Sequence, residues 1–223
     1  MAVSTYKVYM CENIYSEVVM RLLLSLLLLL AGCAGVAVSM APTLPVQILG
    51  KVEVVDTSDP DWTRANVGEA EKPPGSGGVS QALVIRLNQD IAVYRMWSGP
   101  QPGVRSNRLG GWWAFDKPKG TREGYRRAYE ICGTWNDLKR VAVCTLKKGA
   151  VVVIGPGQSV SAATCKDGSG FETYGANDRD WQIYVDQAWN RPDTLSCPPE
   201  DQDYEADPAD VSVPKAKSES SQG

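Results

Sequence analysis

The sequence predicts an α+β domain, small and mostly β, with one clear helix. Three observations carry that expectation. Short runs rich in β-branched and apolar residues recur between Ala82 and Val185, bounded by Gly, Pro, Asn or Asp. A single segment, Thr121 to Cys132, has apolar residues at helical spacing. The stretch that holds them, 80–198, is about 115 residues, enough for one core and too short for two.

Taken in order, the chain opens with a signal region over 1–32, followed at 33–79 by a tether, a short strand pair and a linker. Val46 to Val55 (VQILGKVEVV) reads as the strand pair, broken at Gly50. Asp56 to Gly78 is rich in Pro, Gly, Asp and Glu and reads as linker or long loop. Strands are expected at Ala82–Arg86 and Ile91–Met96, then a loop over Gly99–Gly111 that carries Arg105 and Arg108. Trp112–Phe115 is a short aromatic strand. In the helix, Thr121 is the N-cap, and Tyr125, Ala128, Tyr129 and Cys132 form one apolar stripe, with Gly133 expected to end it. Strands at Arg140–Leu146 and Ala150–Ile154 flank a Lys147-Lys148-Gly149 turn, Gly155-Pro156-Gly157 reads as another turn, and Trp181–Val185 is the last strand. From 199 to 223 the chain is acidic and Pro-containing, and a disordered tail is expected.

The N-terminus points to export. Arg21 precedes the apolar run Leu22–Leu30, and Ala31-Gly32-Cys33 follows it. The ending Leu30-Ala31-Gly32-Cys33 resembles the bacterial lipobox. That resemblance implies cleavage before Cys33, lipidation of its thiol and attachment to the bacterial cell envelope, because several acyl chains hold a protein stably at a membrane. Two other readings stand beside it: an uncleaved anchor over Leu22–Ala41, and a plain signal-peptidase site at Ser39-Met40-Ala41. The first 19 residues fit no n-region, which makes Met20 the expected start.

Composition narrows the chemistry. There is no histidine, which removes Ser-His-Asp and Cys-His catalysis and His-ligated zinc. Four cysteines, Cys132, Cys144, Cys165 and Cys197, lie beyond the signal and lipobox. An even number in an exported chain predicts two disulfides, with three connectivities open, and no metal site is expected. Net charge is −3, from 23 basic and 26 acidic residues, so nucleic acid is not the expected partner.

One string stands apart. Val93-Tyr94-Arg95-Met96-Trp97-Ser98-Gly99 puts an arginine inside an apolar strand, where it must find a partner or line a cleft. After it come Gly110-Gly111-Trp112-Trp113, Trp135-Asn136, Lys148-Gly149-Ala150 leading to Gly155, and Asp180-Trp181-Gln182-Ile183-Tyr184. That order resembles the ADP-ribosyltransferase-like domains of bacterial polymorphic toxins, over Val93–Val185, roughly 40% of the chain. The resemblance implies that NAD is the substrate and that Arg95 clamps its phosphates. Trp112 or Trp113 would stack the nicotinamide, and Gln182 with Asp180 would hold the ribose. A protein or water would accept the ADP-ribose. Two departures stand out: Trp112-Trp113-Ala114 lacks the hydroxyls of the family's pocket strand, and Gln182 stands where the family carries a catalytic Glu. Gln can hydrogen-bond but supplies no charge. Read from the residues alone, Arg95 is equally a salt-bridged strand residue, Trp112 and Trp113 are half core, and Gln182 is an exposed strand position. The rival reading is a non-enzymatic envelope lipoprotein that binds a protein or envelope component.

Overall fold

A computed structural model of the chain describes residues 43–103, 106–166 and 173–212. The signal region, Cys33 and Arg105 lie outside them. From Leu44 onward the chain forms one compact unit. Its framework is a nine-stranded antiparallel sheet: β1 (Val52–Val54), β2 (Leu83–Leu87), β3 (Ile91–Trp97), β4 (Trp112–Ala114), β5 (Arg140–Leu146), β6 (Val151–Gly157), β7 (Asn177–Tyr184), β8 (Leu195–Ser196) and β9 (Tyr204–Glu205). The spatial order is β1-β2-β6-β7-β4-β3-β5-β8, and β9 also pairs with β5. Among the described residues three short α-helices accompany it: α1 (Val67–Ala70), α2 (Arg122–Ala128) and α3 (Ala162–Cys165). The mostly-β class expected from the short β-branched runs is what folds. Among the described residues no helix is long and apolar enough to cross a membrane.

Alternation along the strands feeds apolar side chains to both faces. On one face Ile85, Leu87, Val93, Trp97, Ala142, Cys144, Val152, Ile154 and Ile183 make the main core. On the other face two smaller clusters form. Met96, Ala114 and Val141 pack under Tyr125 of α2 and Tyr129 just after it. Val84 and Val153 pack under Ala65, Ala70 and Val79. The 56–78 stretch is therefore a covering layer and not a linker: its polar residues face out while Ala65 and Ala70 are buried. Arg86 of β2 pins it, donating to Asp59 at 2.9 Å and to Asp61 at 3.1 Å.

The expected tail is also corrected as far as Ser212. Asp203 is buried and accepts both Nε and Nη2 of Arg108, at 2.6 and 2.7 Å, while Trp97 Nε1 donates to it at 2.8 Å. Val211 is buried against α2. A segment of low hydrophobicity is held here by a buried ion pair, a buried valine and the pairing of β9 with β5, which composition averages conceal. Likewise Gly155-Pro156-Gly157 continues β6 and is not a turn.

Two disulfides form, Cys132–Cys165 and Cys144–Cys197. The first ties the segment after α2 to α3, the second ties β5 to the chain beyond β8. Such bonds belong to oxidising compartments outside the cytoplasm.

Candidate functional site

The site begins with a break in the sheet. β3 meets β5 along seven residues but meets β4 at the single pair Tyr94↔Ala114. Beyond that pair the strands part, and side chains satisfy the main-chain groups left without a ladder. Trp112 O accepts from Arg95 Nη1 at 2.7 Å. Met96 O accepts from Asn136 Nδ2 at 2.9 Å. Into the gap opens a cavity of about 150 Å³, lined by Arg95, Met96, Trp112, Trp113, Tyr125, Tyr129, Glu130, Trp135, Asn136 and Gln182. That volume holds one aromatic ring or about five waters at ~30 Å³ each. A second, polar cavity of about 230 Å³, between the loop after β3 and the 134–137 segment, shares Trp135 and Asn136 as its wall.

Arg95 lines the first cavity, but its guanidinium is engaged elsewhere. Nε and Nη2 donate to Asn107 O at 3.2 and 3.1 Å, and Gly110 lies so close that any side chain there would collide with the guanidinium. All three nitrogens thus hold the 107–112 loop and keep β3 and β4 apart. This corrects the expectation of a free fork for phosphates. No carboxylate pairs with the group among the described residues, and burial lowers its pKa to about 10, so it stays charged at neutral pH.

Trp112, Trp113 and Gln182 all line this cavity. Trp113 is buried, with its Nε1 donating to Gly110 O at 2.8 Å, and Trp112 is tilted against Tyr184 with ring centroids 5.0 Å apart. Gln182 is buried on β7 opposite Ala114 and Gly155, not exposed. Asp180 does not join it. β7 is irregular between Asn177 and Trp181, so the two-residue alternation that would place Asp180 beside Gln182 is lost there. Asp180 accepts from Asn177 Nδ2 at 2.7 Å and lines a separate open cavity with Arg127, Asp178 and Arg179.

The residue that sequence reasoning missed is Glu130. α2 begins as expected, with Thr121 Oγ1 accepting from Gly124 N at 3.0 Å. It ends a turn early, because Glu130 takes a left-handed backbone, φ 47°. Arg126 holds this ending by donating to the carbonyls of Cys132 and Asn136, at 3.1 and 2.6 Å. Glu130 then turns inward, 1% exposed. Gln182 Nε2 donates to its Oε2 at 2.7 Å, while its Oε1 has no hydrogen-bond partner among the described residues. Gly157 makes the space, since a Cβ there would run into the carboxyl. Burial, with the charge of Asp180 as a lesser cause, raises the Glu130 pKa to about 9. The group is therefore a neutral acid at pH 7. The one available signal was an acid set among the apolar neighbours of Tyr129-Glu130-Ile131-Cys132.

The arrangement can bind a planar ring between aromatic walls, with a carboxyl–amide pair at one end. Comparison with family models, with curated proteins and with solved structures gives no match to this chain.

Proposed function

We propose that the chain is an exported domain of the ADP-ribosyltransferase kind, lipid-anchored through Cys33, that binds NAD. The nicotinamide ring occupies the slot between β3 and β4, and the ribose and phosphates run over Trp135 into the polar cavity beside it. The observation that carries this reading is convergence. Trp112, Trp113 and Gln182, chosen by their order along a chain in which 70 residues separate the first from the last, line one ring-sized cavity. In the reaction, an acceptor hydroxyl or water bonds to ribose C1′ as the C1′–N bond breaks. The bonding pair moves to the pyridinium nitrogen, which leaves as neutral nicotinamide, and the acceptor's proton goes to solvent or a basic group of the site. Arg95 contributes by holding the slot open, and Gln182 by placing an amide beside the ribose.

The test is incubation of the full chain with NAD, following nicotinamide release and NAD binding. Saturable binding lost in Trp113→Ala, at unchanged secondary structure, supports the reading. Absence of saturable binding at millimolar NAD overturns it. The second reading, an envelope protein that binds a macromolecular partner, would then lead. It is favoured by exposed apolar side chains at Val46, Leu49, Val54 and Trp189.

A further inference from the structure

We infer that the cavity between β3 and β4 selects a positively charged aromatic ring of the pyridinium type, and that Glu130 answers that charge by giving up its proton as the ring enters. This rests on the proposed function and deepens it, since the nicotinamide of NAD is such a ring.

The walls argue for a cation. Trp112, Trp113, Tyr125, Tyr129 and Trp135 all line the space of about 150 Å³, and aromatic rings attract organic cations more strongly when desolvated. The end wall argues for a partner to the charge. Glu130 is buried, lines the same space, and has one oxygen, Oε1, without a hydrogen-bond partner among the described residues. A carboxyl group in that position is costly to bury unless it meets a complementary ligand. The groups around it leave room for one added positive charge. From α2 and the residue after it come Tyr125 and Tyr129, both with pKa values raised by burial and so uncharged. From β7 come Gln182, a neutral amide, and Asp180, whose charge opposes ionisation of Glu130 in the empty cavity. From β6 comes Gly157, with no side chain. Arg95 lines the wall on β3, but its guanidinium is turned to the carbonyls of Asn107 and Trp112 and forms no ion pair with Glu130. Entry of a cationic ring supplies the missing opposite charge. The carboxyl ionises, and its proton passes to the buffer.

The experiment is titration calorimetry of the full chain at pH 7 with three probes: NAD, 1-methylnicotinamide and nicotinamide. Each is run in two buffers of different ionisation enthalpy, so that protons released are counted. The cation 1-methylnicotinamide should bind about tenfold more tightly than its neutral counterpart, the scale of a desolvated cation–π contact. Close to one proton should be released with the cation and none with nicotinamide. Glu130→Gln, nearly isosteric, should abolish the proton release and weaken the preference, leaving only what the aromatic walls contribute. Equal binding of the two rings, or cation binding without proton release, overturns the inference even where NAD binds. Cation binding with proton release in a chain that neither binds nor cleaves NAD upholds the inference and overturns the function proposed above. Failure of all three probes to bind overturns both.

Discussion

At Glu130 the cost of a buried carboxyl group becomes measurable as pH dependence. In the unfolded chain this side chain titrates near 4.5, and in the fold near 9. Between those values the folded state holds one proton that the unfolded state has lost. Stability from this group is therefore complete below about pH 4.5 and falls as pH rises toward 9, by at most about 1.4 kcal/mol per pH unit. Asp56 and Asp59 are held below the usual carboxylate range, chiefly by hydrogen bonds from Ser58 and Arg86, a shift opposite in direction to that of Glu130. Urea midpoints at pH 5, 7 and 9 should decline in the wild type and decline less in Glu130→Gln. Equal slopes in the two proteins would mean that Glu130 ionises freely in the fold. Arg95 shows the opposite balance at the same cavity. It stays charged because three main-chain carbonyl contacts replace its water, and no shift near neutral pH follows from it.

At the scale of elements, the segment 199–212 was the largest misreading, and its contribution to stability can be tested. The sequence showed acids and prolines, and no averaged property separates Asp203 from Asp201 or Asp207. The difference lies in position. Asp203 falls where Arg108, Trp97 Nε1 and Arg140 Nη2 all reach it, the last through its carbonyl at 2.7 Å. Ending the chain at Pro199 leaves the Arg108 guanidinium buried without its carboxylate and removes Val211 from its contact with α2. Stranding a buried charge costs about 3–5 kcal/mol. Truncation there should lower the melting temperature by 10 °C or more, at ~4 °C per kcal/mol for a domain of this size. Asp203→Asn keeps the shape, loses the charge, and should fall between. An unchanged melting temperature in the truncation would return the segment to the disordered tail first expected. By contrast β5 was legible to the residue, because Arg140–Leu146 has β-branched content and clean turn signals after it. α2 was legible at its start, where Thr121 caps it, and not at its end, where a left-handed Glu130 replaces the expected Gly133 stop.

For the whole molecule, sheet order and disulfide pairing are long-range facts. Local pattern says that β4 and β7 are strands, but not that Trp112 lies opposite Tyr184 or that β3 and β4 part after one pair. The lining of the candidate site was legible where chain order carried it, in Arg95, Trp112, Trp113 and Gln182. Glu130 required the three-dimensional arrangement. Four cysteines predicted two bonds, and three connectivities were equally open. The fold selects Cys132–Cys165 and Cys144–Cys197, with sequence separations of 33 and 53. Loops of that length restrict the unfolded chain by about 3–4 kcal/mol each. Together that matches much of the roughly 5–15 kcal/mol that holds a domain folded. The oxidised protein, denatured without reductant, should therefore show none of these four thiols to a thiol reagent, and peptide mapping should recover the two stated pairs. Reduction should lower the urea midpoint steeply. Cys144→Ala with Cys197→Ala should do so alone, since that bond fastens β5 to the segment leading to Asp203. A recovered Cys132–Cys144 pair would refute the sheet order itself, because Cys144 is on β5 beside β3 and β8 while Cys132 packs with Val160 and Cys165 in a separate cluster.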